Sequence, residues 1–522
     1  MPTTASDVAP APHAGSRVVS RPPWWLVLLS LLAVTSVSIP LVYLGVRASG
    51  VPWGDIVTIF QRPQVGQLVI NTLLLSIAVA FTAVAVGTII AVIVTRLRIG
   101  AARTWLLVSA LPLAVPSYLA SYGWLVLAPG LNGFLPSWAL LSAVTIPYVT
   151  LPVAAALRGT SADGEAVART LGLSPTRALW NVTWPQVRPA AIAGGLLVFL
   201  YTLSDFGLVA MLRFQTLTWG VQQAYSASFD RSQAAVLALL LVVIAIVVVT
   251  AERTARGSLQ KTTALHQTKE PLPTGLRLAA VSLVAAPPLI GVLVPLVGLG
   301  IRLSEARTLR AWDSEGLFSA TATTVGVSVG AAILALLLAL PIAALAARYP
   351  SKWVSVLEGA GYLSNAIPGI VVGLSLVFFS LAVVPPLYQT VVVLVFAYAV
   401  LFMPKALGTA RSSIEGVSPD LVSVARTLGA SPVGAWWKVT VPLALPGLGI
   451  GALLVAVTTM KELPATLLLR PIGTDTLATE LWSRTAAGEF GAAAPYAAVL
   501  VLIAAIPAMI LSGVRSVAKE EM

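Results

Sequence analysis

The sequence predicts an all-α membrane protein of about twelve transmembrane helices, arranged as two parallel six-helix repeats. Three observations predict it. The 522 residues are 57% hydrophobic and only 10% charged, with a mean hydropathy of +0.91, whereas soluble domains carry about 25% charged residues. Apolar runs long enough to cross a bilayer recur twelve times. A polar stretch, Asp163–Pro189, reappears in the second half as Asp420–Pro446 at a constant shift of 257, with 15 of 27 positions identical.

Residues 1–23 are rich in Pro and Ala and read as a disordered tail. They lack the form of a cleavable signal, because the apolar run from Trp24 is too long and no Ala-x-Ala-like site follows it. Runs at 24–46, 68–95, 105–128, 136–157, 190–212 and 234–251 make a first half, 24–251. A polar linker, 252–276, separates it from a second half, 277–515. That half holds runs at 277–301, 320–347, 358–384, 388–408, 446–468 and 493–514, and a short tail, 516–522, follows. The runs 105–128 and 358–384 both contain prolines.

The halves correspond outside the polar stretch as well. Ala114-Val115-Pro116 falls on Ala366-Ile367-Pro368 at a shift of 252, and Asp205 and Arg213 fall on Glu462 and Arg470 at 257. Six spans per half is an even number, so both halves enter the membrane in the same direction and the pseudo-two-fold axis lies along its normal. With the N-terminus and both polar stretches on one side, that side holds 22 of the 32 Lys and Arg residues and the other holds 9. The basic-rich side is expected to be cytoplasmic, with both termini inside.

Each polar stretch reads as helix, sharp turn, helix. Ser161 and Ser418 are candidate caps for the first helix, with Asp163 and Asp420 at its positive end. Gly172 and Gly429 sit where a helix C-terminus takes positive φ. Ser174-Pro175 and Ser431-Pro432 restart a helix as cap and first-turn proline, and Pro185 and Pro442 are expected to end it. Arg169, Arg177, Arg426 and Lys438 give it a basic side. The two copies differ less from each other than the flanking apolar spans do, although loops ordinarily drift faster than the elements they connect. A partner that binds both copies explains this.

Other chemistry is bounded by what the chain lacks. It has no cysteine, and both histidines, His13 and His266, fall in polar segments. No Gly-Lys dipeptide occurs, so no Walker A loop is present and any ATP-derived energy must come from another chain. The net charge of +12 is accounted for by arginine at span ends, which removes the need for a nucleic-acid partner. Charged residues inside spans are functional candidates. Asp205 and Glu462, equivalent under the repeat, are placed about 15 residues into their spans, facing a central path. Lys461 is the nearby cation, and Tyr118, Tyr122 and Tyr201 could add oxygen ligands or anchor the interface. No metal site can be assigned with certainty.

The polar stretches resemble the EAA loop of permease subunits of ABC importers, in which E-A-A-x-x-x-G is followed about nine residues on by I-x-L-P. Ala168, Gly172 and Val182-Thr183-Trp184-Pro185 match the pattern, as do Ala425, Gly429 and Val439-Thr440-Val441-Pro442. The glutamate position itself holds Ala166 and Ser423. Glu165 lies one residue early, and Val422 occupies its place in the second copy. Two such units in one chain look most like the fused ferric-iron permeases, with thiamine permeases close by. The resemblance implies an inner-membrane permease working with two copies of a cytoplasmic ABC ATPase, which carry the ATP and Mg, and with an extracytoplasmic substrate-binding protein. It implies coupling contacts through Glu165, Ala168, Arg169, Gly172, Ser174, Pro175, Pro185, Ala425, Arg426, Gly429, Ser431, Pro432 and Pro442. The implied cargo is ferric iron, with thiamine, polyamine or phosphonate as alternatives. An ion-coupled secondary transporter would also show parallel halves, but would not need such a loop in each.

Overall fold

Apolar composition and bilayer-length runs produce a molecule built of helices. The computed structural model describes residues 22–159, 162–226, 230–256, 272–305 and 313–520. Ser161, both histidines, most of the linker and nearly all of the first tail lie outside these residues. Among them there is no β-strand, and nine helices are long and apolar enough to cross a membrane. They are Trp24–Ser49, Pro63–Arg96, Phe134–Gly159, Leu179–Ser204, Arg231–Glu252, Thr274–Ser304, Ser314–Arg348, Val391–Glu415 and Pro432–Met460. A bent pair, Ala102–Ala114 with Ser117–Leu127, makes a tenth if taken as one span, and Gly369–Val383 and Phe490–Ala505 are shorter apolar helices.

The two proline-containing runs are broken rather than continuous. The first bends by 89° between Ala114 and Ser117. Val115 and Ile367 precede the prolines and are extended, at φ −94° and −97°, because the proline ring disfavours helical geometry in the residue before it. Pro116 and Pro368 then precede new helices, Ser117–Leu127 and Gly369–Val383.

Equivalent helices pack in equivalent ways. Pro63–Arg96, Pro147–Gly159 and Trp184–Ser204 pack on one another, and so do Ser314–Arg348, Val391–Glu415 and Val441–Met460. Thr72 Oγ1 accepts from Leu217 N at 2.8 Å, and Thr324 Oγ1 accepts from Leu477 N at 2.9 Å. The opening helices are exchanged. Trp24–Ser49 packs on Ser314–Arg348 and Gly369–Val383, and Leu26, Ala33 and Val37 join the core around Ala332, Ala335 and Ala339. The span Thr274–Ser304 packs in turn on Ala102–Ala110 and Ser117–Leu127, where Trp124 Nε1 donates to Ile290 O at 2.9 Å. Each half therefore needs the other to bury its own first helix.

Candidate translocation cavity and coupling loops

The repeated stretches share one backbone design. In the first, helix Ala162–Thr170 ends at Gly172, φ +90°, and is followed by helix Pro175–Ala178, a π-turn Leu179–Thr183 and the long helix Trp184–Ser204. The second reads Pro419–Thr427, Gly429 at φ +91°, Pro432–Ala435, π-turn Trp436–Thr440 and Val441–Met460. Gly172 N donates to Arg169 O and Leu173 N to Ala168 O, at 3.0 and 3.1 Å; Gly429 N and Ala430 N repeat this to Arg426 O and Ala425 O, both at 3.0 Å. This bond pair is the Schellman ending, whose left-handed residue favours glycine. A Cβ at either glycine would meet nothing within 4 Å, so the glycine answers to φ and not to space.

Serines hold the turns. Ser418 Oγ accepts from Asp420 N at 3.2 Å, Ser431 Oγ from Gly434 N at 3.0 Å, and Ser174 Oγ from Arg177 N at 3.4 Å. Pro185 and Pro442 do not end a helix as expected. Each lies in the first turn of a long helix directly after a π-turn, so the widened turn takes up the missing proline N–H and the chain stays helical.

The copies differ at Glu165. Its carboxylate accepts from Thr183 Oγ1 and pairs with Arg96 at 3.3 Å, which ties the loop to the end of helix Pro63–Arg96. Val422 occupies the matching place in the second copy. There Arg348, the counterpart of Arg96, donates instead to Val417 O at 3.1 Å. Both loops carry the same exposed apolar set: Leu171 is 80% exposed and Trp180 64%, Leu428 83% and Trp437 64%, with Val167 and Val424 exposed beside them. Large apolar side chains open to solvent on a polar loop mark a contact surface.

Between the halves lies a cavity of about 630 Å³. Asp205, Glu462, Tyr201 and Lys461 all line it, together with Tyr118, Tyr148, Ser117 and Lys405. The acids do not sit inside continuous spans. Helix Trp184–Ser204 stops just before Asp205 and Val441–Met460 just before Lys461, and short helices Gly207–Met211 and Pro464–Leu469 follow. Asp205 Oδ1 accepts from Leu208 N and Val209 N at 3.1 and 3.4 Å, and Oδ2 from Ser117 Oγ. Glu462 Oε1 accepts from Ala465 N at 2.9 Å. Each carboxylate thus caps the short helix behind it. Threonines brace both backbones: Thr218 Oγ1 donates to Asp205 O and Thr466 Oγ1 to Glu462 O, each at 2.8 Å.

Lys405 is not among the candidates singled out by the sequence, yet it belongs to helix Val391–Glu415 and faces this cavity, donating to Thr458 Oγ1 at 2.8 Å and lying 4.9 Å from the Phe402 ring centroid. The signal was present, since Lys405 interrupts the apolar run 388–408 as Asp205 interrupts its own. Its counterpart at a shift of 257 is Tyr148, and that of Thr458 is Tyr201. The two tyrosine rings meet at 5.7 Å, so the same contact carries an aromatic pair in one half and an ammonium–hydroxyl bond in the other. Tyr122, the remaining tyrosine candidate, does not line this cavity; its hydroxyl donates to Phe490 O at 2.7 Å.

A second cavity of about 440 Å³ is lined by Arg213, Gln222 and Trp482. Phe206 lines both cavities and packs on Trp482 with ring centroids 5.2 Å apart. Arg470, the counterpart of Arg213, pairs with Asp475.

A helical membrane chain with a cavity that carries four charged side chains between corresponding halves, and a pair of exposed loops on one design, has the architecture of a transport permease. The family model of the inner-membrane component of binding-protein-dependent transport systems matches residues 83–251 and again 339–514. The Fe(3+)-transport system permease protein FbpB 2 of Haemophilus influenzae is 33% identical over 500 residues, covering 94% of this chain and 98% of that protein. The molybdenum transport system permease protein ModB of Mycobacterium tuberculosis is 29% identical over 248 residues, 44% of this chain and 92% of its own. The putative 2-aminoethylphosphonate transport system permease protein PhnV of Salmonella typhimurium is 33% identical over 187 residues, 34% of this chain and 66% of its own. The chain belongs to this family of inner-membrane permeases of ABC transport systems.

Proposed function

We propose that the chain is the transmembrane permease of an ATP-driven importer, two six-span permease units fused in parallel, carrying ferric iron from an extracytoplasmic binding protein to the cytoplasm. Two ATPase subunits, with their ATP and Mg, dock on the two loops. The loops and both termini face the cytoplasm, and 24–251 and 277–515 are the two units. The observation that carries the reading is the doubled loop, with identical Schellman endings and the same exposed Leu, Val and Trp at a shift of 257. Two equal subunits engaging one chain need two equal apolar surfaces. Ferric iron is supported by the relative from Haemophilus influenzae, whose match runs nearly end to end in both proteins.

The test is reconstitution in proteoliposomes with the ATPase and binding protein. Ferric uptake should require ATP and both loops. Uptake by this chain alone, driven by an ion gradient, would overturn the reading in favour of a secondary transporter, and ATP-driven uptake of another cargo would overturn the iron assignment alone.

A further inference from the structure

We infer that Lys405 and Lys461 form an oxyanion site in the central cavity, so that cargo passes with a bound oxyanion or as one. The inference deepens the transport reading above and rests on it for the direction of passage, though binding itself does not.

Hydrogen-bonding capacity decides the matter. Four charged side chains line the cavity: Asp205, Lys405, Lys461 and Glu462. Both Asp205 oxygens are occupied, one by two backbone N–H groups and the other by Ser117, and one Glu462 oxygen is taken by Ala465 N. The lysines are spent on little. Lys405 gives one bond to Thr458 Oγ1, and Lys461 reaches the carbonyls of Leu113 and Ala114 only at 3.4 Å. Neither forms an ion pair with a described carboxylate. An ammonium offers three donors and no acceptor, so most of this donor capacity is open. Two further buried hydroxyls on the lining, Tyr118 and Ser364, have no hydrogen-bond partner among the described residues.

A bare metal cation fits such a place poorly. No group of three or more His, Cys, Asp or Glu side chains among the described residues is arranged to hold a metal ion, and three of the four carboxylate oxygens on the lining already accept hydrogen bonds, which leaves Glu462 Oε2 alone to meet a cation that both ammonium groups oppose. An oxyanion can take the open donors of both lysines. Glu462 Oε2, which accepts no hydrogen bond, remains to touch a metal that the oxyanion chelates. The second half supplies both lysines, because their counterparts at a shift of 257 are Tyr148 and Ser204. The site is therefore one-sided.

The experiment uses the full-length chain in lipid nanodiscs, without ATPase, so its outcome does not depend on whether transport is ATP-driven. Radiolabelled inorganic phosphate is the probe, with molybdate and 2-aminoethylphosphonate as competitors, each in the presence and absence of ferric ion. In parallel, an amine-acylating reagent followed by peptide mass analysis reads the accessibility of each lysine. Phosphate should slow acylation of Lys405 and Lys461 at least tenfold while leaving Lys352 unchanged. Lys405→Gln and Lys461→Gln should each weaken phosphate binding at least tenfold, and Lys405→Arg should retain most of it. Binding that requires ferric ion identifies a metal-chelating oxyanion, and binding without it identifies the oxyanion as cargo. No protection of the wild-type lysines by any of the three anions would overturn the proposal. So would unchanged binding in the Lys405→Gln, Lys461→Gln double variant; a lower melting temperature with unchanged binding would leave the lysines a structural role only.

Discussion

A Cβ atom built on Gly298 would lie 2.4 Å from the carbonyl oxygen of Gly123, and one built on Gly123 would lie 2.3 Å from Pro295 Cα. The backbones of helices Ser117–Leu127 and Val294–Ser304 are in direct contact there, the close approach that small residues permit between membrane helices. This crossing locks the first span of the second half onto the first half.

Gly298→Leu should therefore loosen the exchanged span. Overpacking of a tight interior site costs about 1–3 kcal/mol, and here both colliding partners are backbone. Thermal unfolding of the purified chain should fall by several degrees, whereas Gly300→Ala, on the same helix with nothing within 4 Å of its Cβ position, should change little. Equal effects from the two would show that the crossing is not a constraint.

The loop glycines give a different signature. Valine at Gly172 or Gly429 meets no neighbour but must adopt φ near +90°, a strain on the order of 1–3 kcal/mol for a side-chain-bearing residue. Assembly and ATP hydrolysis should persist while uptake per ATP falls. The ratio of transported cargo to phosphate released is the measurement, and an unchanged ratio in both variants would remove the loops from coupling.

Because only the first loop has the Arg96–Glu165–Thr183 tie, Glu165→Ala should impair uptake more than Val422→Ala. The pair is part-buried, so the loss is about 1 kcal/mol and shows as a several-fold drop in rate. Similar loss from both substitutions would mean that the tie is incidental.

Asp205 and Glu462 can be separated into cap and charge. Asp205→Asn keeps an oxygen for Leu208 N and Val209 N, so stability should stay near wild type. Asp205→Ala removes the cap and should cost about 0.5–2 kcal/mol. If the charge also serves the path, Asp205→Asn and Glu462→Gln should each lower uptake, and the double change should lower it further without strict additivity. Normal uptake by the stable Asn–Gln double variant would leave the acids as caps alone.

Orientation is testable because the chain has no cysteine. Single cysteines in place of Arg177 and Trp437 should react with an impermeant thiol reagent only from the cytoplasmic side, and those at Arg62 and Arg484 only from outside. Labelling of Arg177→Cys in intact cells would invert the topology.

Helical class, the positions of the apolar runs and the doubled loop were legible in the sequence because each is a local or periodic property. Hydropathy marks spans, and Gly172 and Gly429 declare a left-handed residue whatever surrounds them. The equivalence of Asp205 and Glu462 is a property of the sequence, read through the shift of 257. Three things were decided only by tertiary structure. The exchange of first helices depends on which surfaces meet, and apolar faces of similar composition do not distinguish their partners. The use of Asp205 and Glu462 as caps depends on helix breaks at Ser204 and Met460, which hydropathy reads through because the residues on both sides are equally apolar. The gathering of Lys405 with Lys461 on one cavity joins residues 56 positions apart, one on a helix whose rotation about its own axis is set by packing and the other at the break that follows Met460. A lysine at the end of an apolar run looks alike in sequence whether it reaches for the interface or turns inward, and only the neighbouring Thr458 and Phe402 settle which it does.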